Sequence, residues 1–314
     1  MKVFVADQID EIGVEILRKE GFEVDAEEPS QEELLRRIGE YHALIVRSRT
    51  KVTREVIERG ERLKVIGRAG VGVDNIDVKA ATERGIKVVN APVASTNSVA
   101  ELTIGHMIAM IRWIPEATQS MKSGKWEKKR FKGEELQGKT LGLVGSGRIG
   151  TEVAKRAQAF GMRTIAYDPY LPKEIAERNN IQLLDSLEEL LKESDVISVH
   201  AALTEETYHM LDYEKLKLMK KGSYIVNCAR GGIVDEDALY RLLKEGHLAG
   251  AALDVYEREP PGKSPLFELP NISLTPHIGA STKEAQRRAA EIIAEEVVRV
   301  LKGEEPRFWV NRGG

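Results

Sequence analysis

The middle of the chain carries an apolar run followed by three spaced glycines, Thr140-Leu141-Gly142-Leu143-Val144-Gly145-Ser146-Gly147-Arg148-Ile149-Gly150. An apolar run before Gly-x-Gly-x-x-Gly and a helical pattern after it predict a strand, a tight turn and a helix. A second apolar run, residues 163–167, ends at Asp168. Together these segments predict a βαβ unit whose turn binds a dinucleotide.

Each glycine of this turn has its own predicted role. Gly145 permits the tight turn, Gly147 lets the backbone approach a pyrophosphate, and Gly150 allows the helix to pack closely on the strand. Arg148 and Ile149 begin the helix, whose free N–H groups and positive dipole end would face the phosphates. An ordinary turn between core elements is the alternative interpretation.

The acid after the second run predicts which dinucleotide is bound. Asp168 can accept hydrogen bonds from both hydroxyls of an adenosine ribose. A phosphate on that ribose would face the negative charge of the carboxylate. We therefore expect NAD rather than NADP as the cofactor, and we expect no metal ion.

Composition excludes several classes of protein. The 314 residues suffice for two domains, and 42% hydrophobic with 31% charged residues is typical of a soluble globular protein. A net charge of −3 provides no general reason to bind nucleic acid or membrane. No run is long and apolar enough to span a bilayer, and the first residues predict a strand, not a signal peptide. Cys228 is the single cysteine, which excludes an internal disulfide and suits a cytoplasmic protein.

Strand and helix patterns alternate along the chain, which predicts an α/β protein with two doubly wound parallel-sheet domains. We expect a flavodoxin-like substrate domain, residues 1–97 and 288–314, and a Rossmann NAD-binding domain, residues 98–287, with a cleft between them. The predicted strands of the first are 2–6, 22–25, 43–46, 65–68 and 87–90. Those of the second are 140–144, 163–167, 196–199, 224–227, 250–253 and 272–274. The helix predicted from about 282 to 302 would return the chain to the first domain, with the apolar tail 308–311 packed against it.

A long apolar helix is predicted at 98–114. It has no charge between Glu101 and Arg112, apart from a possible charge on His106. A helix this apolar is buried on most faces, so we expect it to form part of a homodimer interface. Pro115 is expected to interrupt or bend the pattern. The basic segment 123–131 is interpreted as an exposed connecting loop, not a nucleic-acid site.

Three residues suited to NAD-dependent chemistry follow successive predicted strands. Such an enzyme needs a proton carrier, and a cation that binds a carboxylate or polarises a carbonyl. Arg230 follows strand 224–227, Glu259 follows 250–253, and His277 follows 272–274. Ligands of open α/β sheets bind at the carboxyl ends of the strands, so we expect these three side chains to converge.

Four ordered segments resemble the signatures of the D-2-hydroxyacid dehydrogenases: 145–150, Asn227-Cys228-Ala229-Arg230-Gly231-Gly232, Asp254-Val255-Tyr256-Glu257-Arg258-Glu259-Pro260 and Thr275-Pro276-His277-Ile278-Gly279. The resemblance covers essentially the whole chain. It implies that His277 is the general acid–base and that Glu259 holds its imidazole and favours the protonated form. It further implies that Arg230 binds the substrate's carboxylate and carbonyl, and that Asp254 hydrogen-bonds the nicotinamide end of the cofactor.

The first domain indicates the substrate. Arg47 and Arg68 end neighbouring predicted strands, and Gly70-Val71-Gly72 follows, where Gly70 and Gly72 would leave N–H groups open to an anion. Two arginines near one anionic end suit a doubly charged phosphate. Segments 43–48 and 67–70 resemble the phosphoglycerate dehydrogenase branch of the family, in which the matching arginines face the substrate phosphate.

This resemblance implies reversible oxidation of D-3-phosphoglycerate to 3-phosphohydroxypyruvate, which begins serine synthesis. We expect a short form without a C-terminal regulatory domain. Reduction of glyoxylate or hydroxypyruvate uses the same catalytic set and stays open as the alternative. An NAD-sensing corepressor that binds partner peptides is a further alternative, disfavoured by the lack of long disordered tails.

Overall fold

The computed structural model describes residues 1–313. The chain forms two compact units. Unit 1 contains Met1–Ser95 and the chain from Ala280 onward, and unit 2 contains Thr96–Gly279. Each unit is built on one parallel β-sheet, as the alternation of apolar runs and helical patterns predicts.

Unit 1 has five parallel strands in the order β2-β1-β3-β4-β5, which is the flavodoxin-like order expected from the sequence. The strands are β1 (Lys2–Val5), β2 (Glu23–Ala26), β3 (Ala43–Val46), β4 (Val65–Arg68) and β5 (Lys87–Asn90). Its helices are α1 (Glu11–Lys19), α2 (Gln31–Arg37), α3 (Arg54–Arg59), α4 (Val78–Glu83) and the last helix of the chain, α12 (Lys283–Leu301). The helix α12 packs on α1 and on β4, so this sheet is covered on both faces.

The end of the chain is bound to the edge strand of unit 1. Val310 N–H donates to Val88 O at 2.8 Å, and Asn90 N–H donates to Phe308 O at 3.3 Å. The Asn311 side chain accepts from Val88 N–H and donates to Ile86 O. The predicted packing of the apolar tail is therefore confirmed.

Unit 2 has seven parallel strands in the order β12-β11-β10-β9-β6-β7-β8. They are β6 (Thr140–Val144), β7 (Arg163–Tyr167), β8 (Gln182–Leu183), β9 (Val196–Val199), β10 (Ser223–Asn227), β11 (Leu248–Leu253) and β12 (Ile272–Leu274). The order reverses beside β6, which is the Rossmann arrangement with one added strand. The two-residue strand β8 was not predicted, because it is too short to show an apolar pattern.

The helices of unit 2 are α5 (Thr96–Ile111), α6 (Ile114–Lys122), α7 (Arg148–Ala159), α8 (Lys173–Arg178), α9 (Leu187–Glu193), α10 (Tyr213–Lys217) and α11 (Glu236–Lys244). The prediction of one helix over 98–114 is wrong at its end. Helix α5 stops at Ile111, Trp113 has a φ of 56°, and Pro115 lies in the first turn of α6. Proline is tolerated there because the first helical N–H groups have no partner within the helix.

The apolar character of α5 is explained largely by packing inside unit 2. Val99, Met107 and Met110 belong to a buried cluster together with strand residues such as Leu141 and Val226. Among residues 1–313, no helix is both long enough and apolar enough to cross a membrane.

Candidate active site

The glycine-rich turn joins β6 to α7 by close backbone contact. Gly145 has a φ of 82°, which favours glycine, and its N–H donates to Tyr167 O at 2.9 Å. A Cβ on Gly150 would lie 2.7 Å from Gly145 O, whereas a Cβ on Gly147 would meet no atom within 4 Å. The helix thus packs tightly against the turn, and Gly147 borders open space.

Asp168 is held beside this turn by two backbone groups. Its Oδ2 accepts from Ser146 N–H at 2.8 Å, and its Oδ1 accepts from Tyr170 N–H at 2.9 Å. These bonds fix the carboxylate at the end of β7, next to the start of α7. The buried Ser146 Oγ has no hydrogen-bond partner within residues 1–313.

The residues of the turn fit a dinucleotide. Gly147 is the N-cap of α7 and provides no side-chain cap, so the N–H groups of Arg148 and Ile149 are available at the positive end of the helix. Gly147 and Arg148 are exposed. A pyrophosphate can accept from those N–H groups, and a ribose diol can donate to the neighbouring Asp168 carboxylate.

His277 and Glu259 form a close pair at the carboxyl ends of β12 and β11. His277 Nδ1 lies 2.6 Å from Glu259 Oε2, and the other oxygen of Glu259 accepts from Tyr256 N–H at 3.1 Å. The hydrogen bond to Glu259 raises the pKa of His277 above its ordinary value, although burial opposes this. Burial alone would raise the pKa of Glu259, but its hydrogen bonds with His277 and Tyr256 hold that pKa below the ordinary value. The imidazole is therefore poised to be protonated, with Nε2 left for proton exchange.

Arg230 belongs to the same cluster. It follows β10, and the Asn227 side chain shapes its loop by accepting from Ala229 N–H and donating to Arg230 O. The positive charge of Arg230 lowers the pKa of both Glu259 and His277, so the guanidinium acts electrostatically on the pair. The structure thus brings together the three side chains expected to converge.

Asp254 makes contacts that the sequence did not indicate. It is 1% exposed; Oδ1 accepts from Thr275 Oγ1 at 2.6 Å and from Ile278 N–H at 2.8 Å, and Oδ2 accepts from Gly279 N–H at 2.8 Å. Its carboxylate therefore binds the Thr275 side chain before His277 and the backbone after it. The expected hydrogen bond between Asp254 and the nicotinamide end of the cofactor stays a prediction.

In unit 1, Arg47 and Arg68 lie at the same edge of the sheet. Strands β3 and β4 are neighbours, with Val46 paired to Arg68, so Arg47 follows directly at the carboxyl end. Arg47 N–H donates to Asp7 Oδ2 at 2.6 Å, and its guanidinium donates to Gln8 O at 3.3 Å. This contact of Asp7 with Arg47 was not predicted from the sequence, although the position of an acid directly after the first predicted strand could have indicated it.

The loop after β4 differs from the expected anion-binding nest. Gly70 N–H donates to Arg68 O at 2.7 Å, so this N–H is not open, because the chain turns back on itself there. Val71 O accepts from the Asn90 side chain at 2.7 Å. Within the part of the chain that the structure describes, the N–H groups of Val71 and Gly72 donate no hydrogen bond.

One other cluster consists of residue types that can bind a metal ion. His209, Asp235 and Glu257 bring three such atoms within 4.8 Å of one another in the described chain. His209 Nε2 lies 3.0 Å from Glu257 Oε1, and Nδ1 lies 3.7 Å from Asp235 Oδ2. Each ring nitrogen of His209 thus faces a different carboxylate, and these contacts account for the cluster without a metal ion.

Comparison with known proteins identifies the family. Residues 104–279 match the family described as "D-isomer specific 2-hydroxyacid dehydrogenase, NAD binding domain". The chain is also similar to a glyoxylate reductase structure from Paecilomyes thermophila, with a TM-score of 0.90 and 34% identity over 100% of this chain and 99% of that one.

Two relatives show how far the similarity extends. D-3-phosphoglycerate dehydrogenase of Methanocaldococcus jannaschii is 57% identical over 311 residues, which are 99% of this chain but only 59% of that protein. Hydroxypyruvate reductase of Thermotoga maritima is 51% identical over 304 residues, which are 96% of this chain and 98% of that protein. With these likenesses and the NAD-binding turn, the chain belongs to the D-isomer specific 2-hydroxyacid dehydrogenases.

Proposed function

We propose that the protein catalyses the reversible, NAD-dependent oxidation of D-3-phosphoglycerate to 3-phosphohydroxypyruvate. The observation that carries the chemical part is the 2.6 Å contact between His277 Nδ1 and Glu259 Oε2, with Arg230 beside it. Close relatives named D-3-phosphoglycerate dehydrogenase support the choice of substrate. The chain spans about three fifths of their length.

The cofactor residues are assigned from the turn. Gly145, Gly147 and Gly150 would admit the pyrophosphate to the N-terminus of α7, with Arg148 and Ile149 in its first turn. The Asp168 carboxylate would accept the ribose hydroxyls, which favours NAD over NADP. When bound, NAD supplies the acceptor for the hydride that leaves C2 of the hydroxy acid.

The proton is handled by the protein's own residues. Nδ1–H of His277 donates to Glu259, so Nε2 of the neutral ring is free to take the proton of the substrate's C2 hydroxyl. The positive imidazolium that forms is stabilised by the Glu259 carboxylate. In the reverse direction Nε2–H returns the proton to the carbonyl oxygen as C2 receives hydride. Arg230 would bind the substrate carboxylate with two parallel hydrogen bonds.

The substrate phosphate is assigned to unit 1. Arg47 and Arg68 lie at adjacent strand ends, and the Val71 and Gly72 N–H groups follow them. Guanidinium groups and backbone N–H groups are the donors that phosphate oxygens accept from.

Hydroxypyruvate reduction is the second candidate. The Thermotoga maritima relative of that name matches this chain along nearly its whole length. It would use the same imidazole–carboxylate pair but would need no residue for a phosphate.

The experiment compares kcat/KM for D-3-phosphoglycerate, phosphohydroxypyruvate, hydroxypyruvate and glyoxylate with both cofactors, in wild type and in Arg47→Ala. Loss of one charge-assisted contact of about 1.5–3 kcal/mol should raise KM for the phosphorylated substrates by roughly 10- to 100-fold. KM for hydroxypyruvate and glyoxylate should change little. Arg54→Ala, which removes an arginine paired with Glu83 in the same unit, is the control. Equal effects of Arg47→Ala on all substrates would contradict the phosphate assignment.

We also propose a homodimer formed through the region 98–114, acting in the cytoplasm in serine synthesis. Ile114 at the end of this region is exposed, and so are Met121 and Trp126 just beyond it, which supports an apolar contact with a second copy. Cys228 is the single cysteine of the sequence, which suits a reducing compartment.

A further inference from the structure

A chain of buried polar side chains leads from helix α5 to the segment that carries His277. His106 lies on α5 and is 3% exposed. Its Nδ1 is 2.8 Å from Ser273 Oγ, and its Nε2 is 2.8 Å from Thr275 Oγ1. Thr275 Oγ1 is in turn 2.6 Å from Asp254 Oδ1.

The donors and acceptors of this chain determine where the hydrogens lie. A carboxylate only accepts, so the Thr275 hydroxyl donates to Asp254. Thr275 Oγ1 then accepts from Nε2–H of His106. Burial lowers the pKa of His106, which keeps its ring neutral, so Nδ1 accepts from the Ser273 hydroxyl. The buried imidazole is thus a single tautomer with both nitrogens satisfied.

The Asp254 end of the chain controls the backbone around His277. Besides Thr275, the carboxylate accepts from the N–H groups of Ile278 and Gly279, the two residues after His277. A Cβ on residue 279 would lie only 3.1 Å from Asp254 Oδ2, so the carboxylate sits tightly against the chain. His277 itself has a φ of 53°, a conformation that a residue with a side chain keeps only when its surroundings impose it.

We propose that His106 is a positioning residue for the reaction, which acts through Thr275 and Asp254 to fix the orientation of the His277 imidazole. This inference rests on the proposed dehydrogenase function, because it takes His277 as the proton carrier. Without the Nε2–H donor, the Thr275 hydroxyl can rotate away from Asp254, and the carboxylate loses one of the groups that orient it. Small displacements of a catalytic group cost on the order of 100-fold in rate for about 1 Å.

The test uses two substitutions, each of which keeps a polar group at the position of only one of the two imidazole nitrogens. The amide nitrogen of His106→Gln replaces Nε2 and can donate to Thr275, whereas the shorter side chain of His106→Asn reaches only the Nδ1 position, where its oxygen can accept from Ser273, and leaves Thr275 without a donor. We expect His106→Gln to stay close to wild type and His106→Asn to lose roughly 10- to 100-fold in kcat, with little change in the KM values. Thr275→Ser and Thr275→Val form a second pair, in which Ser keeps the hydroxyl and Val removes it. Met110→Ala, one turn along α5 in the apolar core, controls for loss of stability.

The second readout does not depend on turnover. The chain has six histidines, so the ring C–H signals in an NMR titration of the protein without cofactor can be assigned by single substitutions. We expect the His277 midpoint to fall toward the ordinary histidine value in His106→Asn and Thr275→Val, and to stay unchanged in His106→Gln, Thr275→Ser and Met110→Ala. Unchanged kcat and midpoint in both His106→Asn and Thr275→Val overturn the inference, as does an equal loss in Met110→Ala. If wild type turns over no 2-hydroxy or 2-keto acid while the midpoint still shifts, the proposed function fails and the positioning stands.

Discussion

His277 is an ordinary imidazole whose surroundings make it suitable for proton transfer. Glu259 binds its Nδ1, Arg230 and Asp254 place opposite charges near it, and the hydrogen bond to Glu259 is the largest influence on its pKa. The raised pKa keeps His277 protonated over a wider pH range. In the proposed reaction, reduction needs the protonated ring, so we expect its rate to fall as pH rises through this pKa and the rate of oxidation to rise over the same range.

Removing the charge of Glu259 should shift the pH dependence of both reaction directions. Glu259→Gln keeps an oxygen that can accept from Nδ1–H but removes the negative charge, so the pKa of His277 should fall toward its ordinary value of about 6.5. We expect the kcat/KM profiles of both directions to move to lower pH, and reduction at neutral pH to fall by about tenfold or more. The measurement is the pH dependence of kcat/KM in each direction.

Glu257→Gln is the matched control for that change. Glu257 lies two residues earlier and pairs with His209, not with His277. Its substitution should leave the profiles in place. A Glu259→Gln enzyme with the wild-type profile would show that another group determines the measured pKa.

At the scale of elements, the decisive contact is between the glycine-rich turn and α7. The carboxyl edge of the sheet and the uncapped start of α7 meet there. Two glycines at this start, Gly147 and Gly150, have different surroundings. A side chain at position 150 would collide with Gly145 O, whereas one at position 147 would enter open space. Gly150 is therefore needed for packing within the protein, whereas Gly147 leaves room for a ligand.

This difference predicts separate effects of two matched substitutions. Gly150→Ala should destabilise the fold by roughly 1–3 kcal/mol, because a Cβ 2.7 Å from a backbone oxygen forces the helix to move. Gly147→Ala should leave unfolding nearly unchanged yet weaken NAD binding by about tenfold or more, because the Cβ occupies the approach to the pyrophosphate. Thermal unfolding and calorimetric NAD titration separate the two. Gly147→Ala with wild-type NAD affinity would contradict the assignment of the turn.

At the scale of the whole molecule, the last part of the chain completes unit 1. Helix α12 packs on α1 and β4, and the tail pairs with β5. The tail is anchored by Glu296, which is fully buried and accepts from Arg307 Nε at 2.8 Å and from Phe308 N–H at 2.9 Å. A buried carboxylate with these partners links α12 to the tail that pairs with β5.

Loss of this anchor should destabilise unit 1. In Glu296→Gln the new amide NH2 would face either Arg307 Nε–H or Phe308 N–H, and both of these groups are donors. We therefore expect a loss of about 1–3 kcal/mol in the free energy of unfolding. Glu295→Gln removes a half-exposed carboxylate that also pairs with Arg307, and should cost about 0–1 kcal/mol. Urea unfolding of both variants checks this. Equal losses in the two variants would mean that the burial of Glu296 does not increase its contribution to the free energy of unfolding.

Local patterns predicted much of the fold and of the site. Strands of unit 2 such as β6 and β9 were predicted at their observed bounds, because fully buried parallel strands are continuous apolar runs. Arg230, Glu259 and His277 could be predicted as a group, since each follows a strand and parallel strands end at one edge. The end of α5 was mispredicted because Ile111 to Ile114 continue an apolar pattern while the backbone turns at Trp113.

The sequence by itself determined the two parallel sheets, the glycine-rich turn and the grouping of the candidate catalytic side chains, because these depend on short-range patterns and on positions directly after strands. Only the tertiary structure decided the contacts of His106, Asp254 and Asp7. His106 meets Ser273 across 167 residues, and Asp254 meets Gly279 across 25. A hydrogen bond between distant segments depends on the packing of α5 against β12, and no local pattern records which polar groups that packing brings together.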